Sequence, residues 1–355
     1  MNISLISIKT QFENLGDALI LRELIKIAST RSRIAVDCQG VPRNFLDSLD
    51  LPPDAIKLRK ELDAFSLMIT KALSGHVVHY FFLPGGVFGE ISGASFAKKT
   101  IRISAFALLW LVGVKFSQVG VSFENLGPRH RLYLRLRGLI MHRLFVRDSA
   151  SAAHLAASGI KHSGQLPDLA FGLFEKHAKI KRETKRICFS FRTDQYETQF
   201  EECFLFAARI LSLAPNAVSI SVASQVSRDR AGMRSLAEKL QKLCDTNINV
   251  LCAESIDEAR RNYGLSDVVV TNRLHVLMLA GSVNCVAVSY SESAATKVSG
   301  IISDLGRKEL LLSSASSDEQ ILAALDSSPI EGTAQRSALK SGIEGIFAAT
   351  RAGQT

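Results

Sequence analysis

Short apolar runs alternate with helical periodicities almost from one end of the chain to the other. Ile3 to Ile8 reads as a strand. Ala18 to Ala28 reads as a helix with apolar positions at Leu21, Leu24, Ile25 and Ala28, and Ile34 to Asp37 as a second strand. A helix near Leu62 to Leu73, a strand from Val77 to Leu83, a hydrophobic helix ending at Leu111, a strand from Lys115 to Val121, a basic helix and a strand from Leu144 to Arg147 complete a first α/β unit. The sequence turns charged from Phe174 to Arg186, which marks a linker. A second set of strands follows at Ile187 to Phe191, Val218 to Val222, Ile248 to Leu251, Val268 to Val270 and Cys285 to Ser289, separated by helices such as Phe200 to Leu213 and Arg230 to Leu243. The expected division is an N-terminal domain over 1–175, a C-terminal domain over 186–330 and a helical tail over 331–355. At 355 residues, two α/β domains are also what length predicts.

Open parallel sheets bind ligands beyond the carboxyl ends of their strands, so the residues just after each strand carry the most information. Here they are Asn14, Gly16 and Asp17; Pro84, Gly85 and Gly86; Gly120 and Ser122; Arg147 and Asp148; Pro167 and Asp168; Arg192; and Asn272, Arg273 and His275. Taken singly, a glycine eases a turn and an Asp caps a helix. The stretch from Val268 to Tyr290 stands out because it sets Arg273 and His275 inside almost unbroken apolar sequence. Thr271 or Asn272 is the expected N-cap, with a helix from Leu274 that Gly281 closes. Arg273 and His275 then occupy a first turn, where free N–H groups favour an anion and a guanidinium adds bidentate recognition.

Composition is that of an ordinary globular protein, 47% hydrophobic and 22% charged. Cys38, Cys188, Cys203, Cys244, Cys252 and Cys285 form no CxxC pair and suggest neither zinc nor a disulfide framework. The N-terminus has no basic leader, and the longest apolar window, Ile103 to Val114, falls short of the ~20 residues that span a bilayer, so a cytoplasmic protein is expected. The net charge of +9 is concentrated. Arg129, Arg131, Arg135, Arg137, Arg143 and Arg147 lie within an acid-free stretch interleaved with leucines. Such a helix either presents a solvated face or lies on the anionic inner face of a membrane. No nucleic-acid motif accompanies it, which leaves nucleic acid out as a partner.

The ordered set comprises Asn14-x-Gly16-Asp17, Gly85-Gly86, Val146-Arg147-Asp148-Ser149 with Pro167-Asp168 beyond it, Arg273-Leu274-His275, and Tyr290 with Lys297. It resembles the polysaccharide pyruvyl transferase family over roughly Asn14 to Lys297. Pro84 and Ala18 stand where the family more often has a glycine and an acid. The resemblance implies two Rossmann-like domains facing each other across a cleft in the manner of GT-B enzymes, no cofactor and no required metal. It also implies transfer of the carboxyvinyl group of phosphoenolpyruvate to a sugar, closed as a ketal with release of phosphate. On that reading Arg147 and Arg273 meet the donor, His275 moves a proton or holds the phosphate, and Asp17 orients the acceptor hydroxyl. Arg192, Lys297, Asn14, Gly16, Gly85, Gly86, Asp148, Asn272 and Tyr290 line the substrates. The acceptor is a sugar of a polysaccharide or of its lipid-linked precursor. Two rivals share the architecture: a GT-B glycosyltransferase using a sugar nucleotide, and an inactive relative in polysaccharide assembly. Joint retention of Arg147, Arg273 and His275 argues against the second.

Overall fold

The structure, a computed structural model, describes residues 2–175, 185–193, 197–292 and 297–348. Most of the charged linker expected at 174–186 therefore lies outside the described residues. By internal contacts the chain divides into two units. The first holds residues 1–12, 17–172 and 337–355, and the second holds Glu13–Gly16 and Leu173–Arg336. The division differs from the sequence expectation at its far end. The helix Thr333–Ala348, read as a separate tail, belongs to the first unit from Ser337 onward.

The first unit is built on strands β1 (Asn2–Ile6), β2 (Arg33–Asp37), β3 (Ile56–Leu58), β4 (Val77–Phe81), β5 (Gly85–Phe88), β6 (Lys115–Glu124), β7 (Met141–Val146) and β8 (Gly164–Gln165). Their order is β3-β2-β1-β4-β6-β7-β8, with β5 pairing β6. The second unit holds β9 (Lys185–Ser190), β10 (Ala217–Ser224), β11 (Ile248–Cys252), β12 (Val268–Thr271), β13 (Val286–Tyr290) and β14 (Leu311–Leu312), in the order β11-β10-β9-β12-β13-β14. Every pairing in both sheets is parallel. Helices cover such sheets on both faces, which is why β12 and β13 are buried at every position and read as unbroken apolar runs. Strand order reverses between β1 and β4 in the first sheet and between β9 and β12 in the second, the places where this architecture opens a crevice.

Three local expectations are corrected. The glycine pair Gly85-Gly86 is not a bare turn; Gly85 (φ +103) opens β5, which pairs Gly85 with Val121 and Gly86 with Ser122. Gly281 does not close its helix, which runs Leu274–Ser282; the chain reverses at Asn284, in the left-handed region at φ +66. The basic stretch is a helix only over Pro128–Gly138, and not all its arginines face solvent. Arg137 is buried, donates to Gln118 Oε1 at 2.7 Å and lies over the rings of Phe82 and Tyr133. Arg135 spends Nε and Nη2 on the Ser158 carbonyl.

Alternation along β4 sends Val78 and Tyr80 into a core with Ile3, Leu5, Phe106 and Phe116, and sends His79 to the other face. There His79 lies 4.7 Å from the Phe347 ring and 6.2 Å from Phe81, beneath the C-terminal helix. That helix comes close enough that a Cβ on Gly342 would stand 2.3 Å from a Leu166 methyl. Neither His79 ring nitrogen has a hydrogen-bond partner among the described residues. Burial, then His142 and Lys115, push the imidazole down to about 4. An unfolded chain takes up this proton near 6.5, and the folded one does so only near 4. The stability is therefore complete above about 6.5 and is lost as pH falls toward 4. In urea titrations from pH 7.5 to pH 5, His79→Phe is expected to lose about 2 kcal/mol less stability than the wild type. Equal losses in the two proteins would refute the assignment.

Candidate active site

In the second unit the exits of β9 and β12, on either side of the strand-order reversal, are tied together residue by residue. Thr271, the last residue of β12, donates its hydroxyl to the Ser190 carbonyl at 2.6 Å and accepts the Arg273 N–H at 3.0 Å. Asn272 accepts the Arg192 N–H on Oδ1 at 2.6 Å. These bonds replace the side-chain cap expected of Thr271 or Asn272. The extended N-cap residue is Arg273 itself (φ −110°, ψ 125°), so His275, but not Arg273, occupies the first turn of Leu274–Ser282.

The Arg273 guanidinium forms an ion pair with Asp229, a carboxylate only 2% exposed that also accepts the Thr193 N–H at 3.2 Å. Sequence reasoning missed Asp229. Its only signal was its place shortly after β10, in the short helical turn Ser227–Asp229. Deleting Arg273 would take the ion-pair partner from a buried carboxylate, at a cost of about 3–5 kcal/mol, which makes that variant a poor probe of ligand binding.

Gly16 explains its own identity here. A Cβ on it would stand 2.0 Å from Nδ1 of His275, so the ring occupies the space that any other residue's side chain would need. Asn14 Oδ1 accepts the Gly16 N–H at 3.0 Å and holds the loop in place. On its other side, Glu13 accepts a hydrogen bond from Ser227 Oγ at 2.8 Å, two residues before Asp229. The unit thus gathers Asn14, Gly16, Arg192, Asn272, Arg273 and His275.

Tyr290, expected from the sequence to line the substrates, is the last residue of β13. It is buried, stacked on Phe206 with centroids 4.2 Å apart. Burial and then its hydrogen bond with Glu292 push its phenol upward. Lys297 opens the helix Lys297–Asp304, and its side chain lies outside the described residues.

The first unit holds Asp17, Gly85, Gly86, Arg147 and Asp148. Asp17, in the first turn of Leu15–Ser29, accepts the Thr10 hydroxyl at 2.5 Å. Asp148 caps Ser149–Ala157 by accepting the Ser151 N–H at 2.7 Å. Arg147, only 3% exposed, bonds Asp168 at 2.8 Å and Ser122 at 2.9 Å. Such a side chain, expected from the sequence to meet the donor, braces the exits of β6 and β7. Among the described residues no group of three or more His, Cys, Asp or Glu side chains could hold a metal ion.

The sequence model of the polysaccharide pyruvyl transferase family matches residues 14–293. The chain belongs to that family. The match runs from the Asn14 loop through β13 and so takes in residues of both units. Comparison with curated proteins gave no match. Among solved structures, the UDP-GlcNAc 2-epimerase of Methanocaldococcus jannaschii superposes with TM-score 0.58 at 12% identity, covering 99% of this chain and 100% of that one. The UDP-GlcNAc 2-epimerase of Neisseria meningitidis, bound to UDP-GlcNAc, gives 0.53 at 10% identity and covers 99% of each. At such identities the likeness is one of fold, α/β with parallel sheets as the sequence pattern implied and GT-B-like as the family resemblance implied.

Gly16→Ala is expected to lower stability by about 1–3 kcal/mol, the usual cost of overpacking. In a Gly16→Ala, His275→Gly double variant most of that loss returns, because the obstructing ring and the Cβ of residue 275, which would stand 2.7 Å from the new methyl, are both gone. A thermodynamic cycle from urea denaturation that shows additive losses would contradict this packing.

Proposed function

We propose that this pyruvyl transferase uses phosphoenolpyruvate as donor and a sugar hydroxyl pair as acceptor, forming a cyclic pyruvate ketal. The observation that carries the reading is the family match combined with the cluster of Arg192, Asn272, Arg273 and His275 at the strand-order reversal of the second sheet. Arg192 and the N-terminus of Leu274–Ser282 supply the positive field that a carboxylate and a phosphate on one carbon require. Arg273, already neutralised by Asp229, acts as a rigid donor of hydrogen bonds and adds little net charge.

Atoms and charges balance in two additions to the same carbon. One sugar hydroxyl adds to C2 of the enol ester as a proton reaches the methylene carbon, which becomes a methyl group. The C2–O bond to phosphate breaks, and the second hydroxyl closes the ketal, its proton leaving with the phosphate. An imidazole can carry a proton to a carbon centre as a general acid, and His275 is assigned that role. Asp17 of the first unit is assigned to the acceptor hydroxyl. A lipid-linked precursor is the acceptor class that suits assembly of a polysaccharide repeat.

The test is phosphate release from phosphoenolpyruvate over a panel of sugar acceptors, with products read by mass spectrometry. Arg192→Ala is expected to weaken donor binding by about 1.5–3 kcal/mol in calorimetry. His275→Gln is expected to retain donor affinity and lose turnover. Chelation is expected to leave the rate unchanged, since the cationic side chains neutralise the phosphate. Consumption of a UDP-sugar without phosphate release from phosphoenolpyruvate would overturn the reading in favour of a sugar-nucleotide enzyme.

A further inference from the structure

The helix Gly93–Leu111 turns an apolar stripe away from its own core. Phe106 and Leu109 are buried against the first sheet, while Ile101, Leu108 and Leu111 are 73%, 67% and 71% exposed. At 100° per residue these three lie on one face, opposite the buried pair. The helix Pro128–Gly138 packs alongside, with Lys99 Nζ 5.1 Å from the Tyr133 ring centroid. On its outward face Leu132 is exposed between Arg129 and Arg135, and Leu139 is exposed just past its end. Trp110, the only tryptophan of the chain, is also exposed at the end of the first helix.

Within the segment that forms this stripe the charge is nearly all of one sign. From residue 91 to residue 147 there are ten Lys and Arg and a single acid, Glu124. Lys98, Arg102, Arg129 and Arg135 are exposed there. The nearest acid before that segment, Glu90, is committed to the backbone N–H groups of Ile91, Arg129 and His130. No helix of the described residues is long and apolar enough to cross a membrane, so this one cannot serve as a span. A helix of 19 residues, about 28 Å long, with outward leucines flanked by cations and a tryptophan at its end matches the surface of a bilayer with anionic headgroups.

We infer that the outward face of Gly93–Leu111, with its neighbour Pro128–Gly138, is a reversible docking surface for an anionic lipid membrane. The arginine helix singled out by sequence is the lesser part of it. Arg137 and Arg147 are buried in the fold and Arg135 is tied to Ser158, so the apolar contact comes from the adjoining helix. Basic side chains draw the unit to the surface, and Ile101, Leu108 and Leu111 enter the headgroup boundary. The inference does not depend on the donor or the acceptor of the transferase.

Flotation with phosphatidylcholine vesicles, with and without phosphatidylglycerol, decides it. Three proteins are compared at low and high salt: wild type, the Ile101→Ser, Leu108→Ser, Leu111→Ser variant, and the Lys98→Gln, Arg102→Gln variant. The replaced side chains are exposed, and matching thermal melts verify that each variant is folded. Wild type is expected to float with the anionic vesicles at low salt and to release at high salt, because screening acts within about 10 Å at 0.1 M. Each variant is expected to bind roughly tenfold more weakly or worse. Absence of wild-type binding at low salt, or undiminished binding by the apolar variant, would overturn the inference. So would sedimentation showing a wild-type dimer that the apolar variant abolishes without any vesicle binding, since the face would then join two copies of the chain.

Discussion

Asp229 is the group on which the second unit's site depends. One carboxylate, almost wholly withdrawn from water just beyond β10, receives the Thr193 N–H from the exit of β9 and the Arg273 guanidinium from the exit of β12. Burying either charge alone would cost several kcal/mol, so the arrangement exists only as a complete set. Three strand exits are thereby held in one relation, and the backbone that leaves Arg273 carries His275 two residues later into the space that Gly16 leaves open. The first unit repeats the device with different partners. Arg147 leaves β7, meets Ser122 of β6 and closes on Asp168 beyond β8. In both units an arginine at a strand end is first a brace.

This doubling also separates what the chain's pattern conveys from what it conceals. The strands were legible because parallel sheets covered on both faces demand continuous apolar runs, and β9, β12 and β13 supply them with little ambiguity. The clustering of chemistry at strand exits was legible for the same reason: once strands are known to be parallel, their carboxyl ends lie on one edge. The fate of each charged side chain was not. Arg273 finds its carboxylate in a segment far upstream, and nothing local to Arg228-Asp229-Arg230 distinguishes that Asp from a solvated one. Likewise, the periodicity of Pro128–Gly138 cannot tell an arginine on a wet face from Arg137, which folds between Phe82 and Tyr133.

Boundaries shifted where backbone geometry overrode residue preference. Gly281 is the natural helix terminator by composition, yet it stands inside the helix against Phe174, where an added Cβ would meet that ring at 3.0 Å. Its lack of a side chain therefore serves packing, and the left-handed position falls to Asn284, whose short polar side chain tolerates it. Gly16 belongs to the same class of position: the residue type is dictated by a neighbour far away in sequence, and only the folded structure reveals which one.

The return of the C-terminal helix to the first unit has a consequence for the order of events during synthesis. The face of the first sheet that carries His79 and Phe81 is covered by Phe347, and Leu166 seats against Gly342. Those partners leave the ribosome only after the whole second unit has emerged. At elongation rates of about 5–20 residues per second, that apolar face waits roughly 10–40 seconds for its lid while the second sheet is already free to assemble. The unit encoded first is thus the one completed last, and its uncovered interval is the period in which a nascent chain most needs a chaperone.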